Sequence, residues 1–67
     1  MTGQMVIDDG DITIGGRIYP ISDIVAITST ISGIVVTFRD GSMDLGDGGV
    51  ADFYTLRDRC PWATASI

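Results

Sequence analysis

The residues of this chain that could carry chemistry are few and nearly all of one kind. All nine acids are aspartates, and the chain has no Glu, Lys, His or Asn. Asp40, Asp44 and Asp47 lie in one glycine-rich stretch, FRDGSMDLGDGG, residues 38–49. Asp8, Asp9 and Asp11 surround Gly10. Carboxylates grouped this way could hold a hard cation, exchange protons, or shape turns. An EF-hand loop needs oxygen ligands at alternate positions, then a glycine, then a bidentate glutamate. Asp40, Asp44 and Asp47 are spaced by four and three, and the glutamate is missing. Zinc fits worse, because Cys60 is the only cysteine and there is no histidine to complete a tetrahedron. No metal or other cofactor is expected. Asp-Gly pairs serve tight turns, and turn chemistry is the reading these aspartates favour.

Nucleophilic catalysis has equally little to work with. Cys60 and five serines are present, but no His or Lys can act as their base. Paired aspartates could serve as acid and base, yet 67 residues leave little room for a pocket of about 300 Å³ or more. Gly46, Gly48 and Gly49 ahead of a helix suggest an anion-binding loop. The P-loop lysine is absent, however, and Asp47 would repel phosphate. The chain is not expected to be an enzyme.

The charge balance narrows the partners. The formal net charge is −5, and the four cations are Arg17, Arg39, Arg57 and Arg59. Binding DNA, RNA or anionic lipid needs clustered cations, so no direct nucleic-acid partner is expected. A lone cysteine excludes an intrachain disulfide and suits a reducing compartment. No cationic start leads into an apolar run, and no apolar run approaches the ~20 residues of a membrane span. The expected location is the cytoplasm, and the expected extent is one complete small domain, 1–67. A chain of this size buries only about 60% of its unfolded surface. Its core rarely supplies more than about 3–5 kcal/mol, so self-association is the expected source of further support.

The elements that must position these residues are mostly strands. Isoleucine is the dominant apolar residue, with valine and threonine common, as strands prefer. Asp9-Gly10, Gly15-Gly16, Ser32-Gly33 and Asp40-Gly41 are two-residue turn signals between β-rich runs. They predict strands over 5–8, 11–14, 17–21, 24–31, 34–39 and 42–45. Pro20 cannot donate to a ladder, so the chain should turn a corner at 20–23. Alternation places Ile12 and Ile14 on one face, and Ile34, Val36 and Phe38 on another. It also groups Val25, Ile27 and Ile31, and predicts that Met43 and Leu45 reach inward while Asp44 points out. The side opposite the apolar one (Thr13, Ala26, Thr28, Val35, Thr37) is uncharged and would accept a partner surface or a second copy.

The period then changes. VADFYTLRDRC, residues 50–60, predicts a helix with Val50, Phe53, Leu56 and Cys60 on one stripe. Asp52 in the first turn and Arg57 and Arg59 in the last suit the helix dipole. Pro61 stops it. A tail follows over 61–67, with Trp62 folding back and the final residues loose. The fold class expected is β-rich α+β: an antiparallel meander of five to six short strands, curled into a partial barrel, then one C-terminal helix.

The segment Tyr19, Pro20, Ile21, Ser22, Asp23, Ile24, within DITIGGRIYPISDIVAI, resembles small bacterial pleckstrin-homology-like domains of unknown function. The likeness spans roughly 5–60. It implies a β-meander closed by a terminal helix. The chain has fewer predicted strands than a complete domain of that kind and lacks the basic loop of phosphoinositide-binding members.

The expected function is a small non-enzymatic protein–protein interaction or assembly module, homo-oligomeric, of the kind found among bacterial or bacteriophage accessory proteins. Its partner is itself or a host protein. Tyr19, Arg39, Tyr54, Arg57 and Trp62 are the contact candidates, being large amphipathic groups. The alternative is an acidic inhibitor that mimics nucleic acid, carried by Asp8, Asp9, Asp11, Asp40, Asp44 and Asp47. A third reading, drawn from the resemblance alone, is a lipid-binding module.

Overall fold

The computed structural model describes residues 2–67. Met1, the first residue of the expected domain, lies outside them. In chain order the elements are β1 (Met5–Ile7), β2 (Asp11–Ile14), β3 (Arg17–Pro20), a 3₁₀ turn (Ile21–Asp23), β4 (Ile24–Thr30), β5 (Gly33–Phe38), β6 (Met43–Gly46), α1 (Val50–Arg59) and β7 (Thr64–Ser66).

The strands form two sheets rather than one continuous meander. One is antiparallel, in the order β1-β2-β3; the other has the order β6-β5-β4-β7. They do not close into a barrel. The break falls at Pro20, where the chain enters the 3₁₀ turn instead of pairing onward, so the predicted corner is there. The sheets meet elsewhere, through a parallel bridge between Gly3 and Gly46. Gly3 donates its N–H to Leu45 O at 2.9 Å and accepts from Asp47 N at 2.9 Å. A Cβ on Gly3 would stand 2.7 Å from Gly15 N, so only glycine lets the chain run this close to the β2–β3 turn.

Three expectations about phase and extent are corrected. First, Ile24 and Ile27 are the buried residues of β4, not Val25 and Ile31. A register shift between Ile24 and Ala26 inserts one residue and swings Val25 outward. Ile31 is fully exposed in the loop to β5. Second, β6 is inverted. Asp44 pairs with Val36 and Gly46 with Ile34, both partners being buried, so Asp44 faces inward. Met43 and Leu45 face out, with Met43 68% exposed. Third, the tail is not loose. Thr64–Ser66 forms β7, parallel to β4, which makes seven strands and leaves a strand after the helix. Trp62 anchors that return by donating Nε1–H to Ile24 O at 2.8 Å.

The helix covers the inner side. Gly49 is its N-cap, and the Asp52 carboxylate accepts from Gly49 N at 3.1 Å. Phe53, Leu56 and the capping residue Cys60 are buried with Ile12, Ile14, Ile21, Ile24, Ile27, Ile34, Val36 and Phe38. Val50, expected on the same stripe, is exposed. Among the described residues no polar side chain is fully buried. Whatever chemistry the fold offers therefore sits at its surface.

Candidate functional site

Two surface features bring sequence-predicted residues together. The first is an open cleft of about 290 Å³, lined by Tyr19, Asp23, Phe38, Arg39, Asp40 and Ser42. It forms where β3 ends and the β5–β6 turn begins. The Tyr19 ring stacks on Phe38, with centroids 4.1 Å apart and planes 20° from parallel. Its hydroxyl donates to Asp44 Oδ2 at 3.0 Å, across 25 residues of sequence. Arg39 Nη2 donates to Ser22 O at 3.0 Å. Asp40 Oδ1 accepts from Ser42 N at 2.9 Å and Ser42 Oγ at 2.6 Å. The Ser42 hydroxyl bond, then its amide bond, hold the Asp40 carboxyl below the ordinary aspartate range. Both bonds lie within the β5–β6 turn.

The other aspartates are separately occupied. Asp47 Oδ1 accepts from Met5 N at 2.9 Å, tying the helix approach to β1. Asp44 receives Tyr19, so of the three aspartates in residues 38–49 it is the half-buried one, and it is not a solvated strand residue. Asp8, Asp9 and Asp11 are exposed on the β1–β2 hairpin. Among the described residues no three acids or cysteines converge as a metal site would require.

The remaining contact candidates lie elsewhere. Tyr54 and Arg57 are exposed on α1, with the guanidinium 4.8 Å from the Tyr54 ring centroid. Trp62 is tethered to β4, half of its surface still open. Tyr19 and Arg39 share the cleft, Tyr54 and Arg57 share a helix face, and Trp62 stands at the root of β7.

The second feature is the outer face of the four-stranded sheet. Its register sets two rows across all four strands. One row is Met43, Thr37, Ala26 and Thr64; the other is Leu45, Val35, Thr28 and Ser66. Side chains on paired positions share a face, and these eight alternate with buried Ile27, Ile34 and Val36. None of the eight is buried, and none of the chain's nine aspartates or four arginines is among them. Ala26, Thr28, Val35 and Thr37 were legible in the sequence as this face. Thr13 belongs instead to the other sheet, in a row with Val6 and Ile18. Met43, Leu45, Thr64 and Ser66 were missed, the first two through the inverted phase of β6 and the last two through the unforeseen strand.

No helix among the described residues is long and apolar enough to cross a membrane. No protein family, curated protein or solved structure matches the chain.

Proposed function

We propose that the protein is a small non-enzymatic assembly module that pairs with further copies of itself through the outer face of the four-stranded sheet. One observation carries this reading: in a chain of net charge −5, the two full rows of that face contain no charge. Two copies approaching by any face rich in aspartate would repel. Approach by this one brings threonine, valine, alanine, leucine and methionine together, in the geometry of two sheets stacked about 10 Å apart. A standard interface takes about 800 Å² from each partner, roughly a fifth of the 4056 Å² accessible here. The face with its margins must therefore be used whole. Tyr54 and Arg57 on α1 lie outside this contact and are left for an unlike partner.

A dilution series followed by amide NMR tests the proposal. Shifts at Ala26, Thr28, Val35, Thr37, Met43, Leu45, Thr64 and Ser66 should move with concentration while those of α1 stay fixed. Concentration-dependent shifts confined to α1 or to the β1–β2 hairpin would reject it.

One observation favours a second reading, the acidic inhibitor of a nucleic-acid-binding protein: Asp8, Asp9 and Asp11 stand exposed together on one hairpin. Replacing all three by Asn should abolish binding to such a partner. Unchanged binding would remove that reading and leave the sheet-face proposal intact.

A further inference from the structure

The chain contains three Asp-Gly pairs, Asp9-Gly10, Asp40-Gly41 and Asp47-Gly48, and the fold treats them differently. We propose that Asp9-Gly10 is a site of spontaneous aspartate isomerisation in the folded protein, and that the fold protects the other two. In this reaction the backbone nitrogen of the glycine gives up its proton and attacks Cγ of the preceding aspartic acid. An N–Cγ bond forms and the carboxyl oxygen leaves as water, giving a five-membered succinimide. Water then adds back. Breaking N–Cγ restores aspartate; breaking the bond from nitrogen to the main-chain carbonyl carbon leaves isoaspartate, with the backbone routed through the side chain. One water leaves and one returns, and nothing is oxidised or reduced. The step needs a free carboxyl, a free glycine nitrogen and room to rotate.

Asp40-Gly41 has neither reacting group free. Its carboxylate accepts two bonds from Ser42, and Gly41 N donates to Phe38 O at 2.9 Å. Asp47-Gly48 lacks the room. Asp47 Oδ1 holds Met5 N, and Gly48 is buried with Met5 Sδ 2.7 Å and Ile34 Cδ1 3.0 Å from where a Cβ would sit. Asp9-Gly10 has the free nitrogen and the room, and its carboxylate is the least held of the three. The Asp9 side chain is 107% exposed, and its one ion pair among the described residues is a long one, to Arg59 Nη1 at 3.5 Å. Among the described residues, no backbone hydrogen bond holds Gly10 N, and nothing lies within 4 Å of a Cβ built on Gly10.

Isomerisation there reaches beyond the turn. Arg59 Nη1 also donates to Asp8 O at 2.9 Å, so one guanidinium clamps the end of α1 to the β1–β2 hairpin. An inserted main-chain methylene at position 9 displaces both acceptors and releases that clamp.

The test is an ageing experiment on the intact folded chain. After incubation at neutral pH, tryptic peptides are analysed by electron-transfer fragmentation, which separates isoaspartate from aspartate at each site. The peptide ending at Arg17 carries Asp9, and the peptide from Asp40 to Arg57 carries the other two. Isoaspartate should accumulate at Asp9 several-fold faster than at Asp40 or Asp47, and the three rates should converge in denaturant. Gly10→Ala, at a glycine without positive φ and with open space around it, keeps the fold and should suppress the product at Asp9. Equal rates at the three sites in the folded chain, or faster reaction at Asp40, would overturn the proposal. So would undiminished isoaspartate in Gly10→Ala.

Discussion

Tyr19→Phe removes one hydroxyl and leaves the ring stacked on Phe38. What is lost is the 3.0 Å bond to Asp44 Oδ2. A hydrogen bond to an ionised group contributes about 1.5–3 kcal/mol. Both partners here are only half-buried, and water compensates part of the loss, so the expected cost is about 1 kcal/mol. In a domain of this size that lowers Tm by roughly 4–8 °C. The sharper quantity is the coupling. Asp44→Ala also loses the bond that Leu45 N donates to Asp44 Oδ1 at 3.1 Å, but a double-mutant cycle cancels it and isolates the Tyr19–Asp44 bond. Urea unfolding of the parent, both single variants and the double variant should give a coupling of about 1 kcal/mol. Effects that add to within about 0.3 kcal/mol would show that the two side chains do not meet. The inverted phase of β6, and the outward placement of Met43 and Leu45 that follows from it, would then be wrong.

Two other outcomes follow from the same packing. Cys60 is buried and its thiol donates to Leu56 O, and burial pushes its pKa up. The folded state therefore holds the thiol proton more tightly than the unfolded state. Stability from this group is present below the ordinary thiol pKa and lost as pH rises above it. A disulfide reagent at neutral pH should react with Cys60 only through unfolding, and fast labelling of the native chain would contradict this. Gly33 has φ of +139° and its missing Cβ would strike Gly46 O. Gly33→Ala should cost about 3 kcal/mol or more by chemical denaturation, whereas Gly10→Ala should be neutral or stabilising by about 0.5 kcal/mol; similar values for the two would refute this account of the β4–β5 turn.

Features carried by local pattern were legible in the sequence. Strict alternation in Ile34–Phe38 set the inward face of β5, Pro20 marked the corner, and Phe53, Leu56 and Cys60 marked the buried side of α1. The misreadings have non-local causes. Ile24, Val25, Ala26 and Ile27 fit either phase of a strand, and the bulge that selects one is set by pairing with β5. Met43-Asp44-Leu45 puts an acid between two apolar residues, which favours Asp44 outward until Tyr19 arrives from β3 with a hydroxyl for it. Thr64–Ser66 has weak strand character of its own and is ordered by the free edge of β4 and the Trp62 tether. The cleft joins residues from β3 and the β5–β6 turn, a pairing of distant segments with no signal in either. The uncharged sheet face was half legible, because its phase is regular in β5 and in β4 from Ala26 onward, past the bulge.

Sedimentation equilibrium over a wide concentration range, on the parent chain and on Thr37→Asp, tests the assembly proposal most directly. Thr37 lies within the outer face, paired on both sides, by Met43 and Ala26. An aspartate there places like charges across any contact between copies. The parent should rise above its chain mass of 7.1 kDa with concentration, and Thr37→Asp, with an unchanged circular dichroism spectrum, should stay at that mass. A parent that remains at 7.1 kDa at the highest concentration, or a Thr37→Asp variant that associates as the parent does, would contradict assembly through this face.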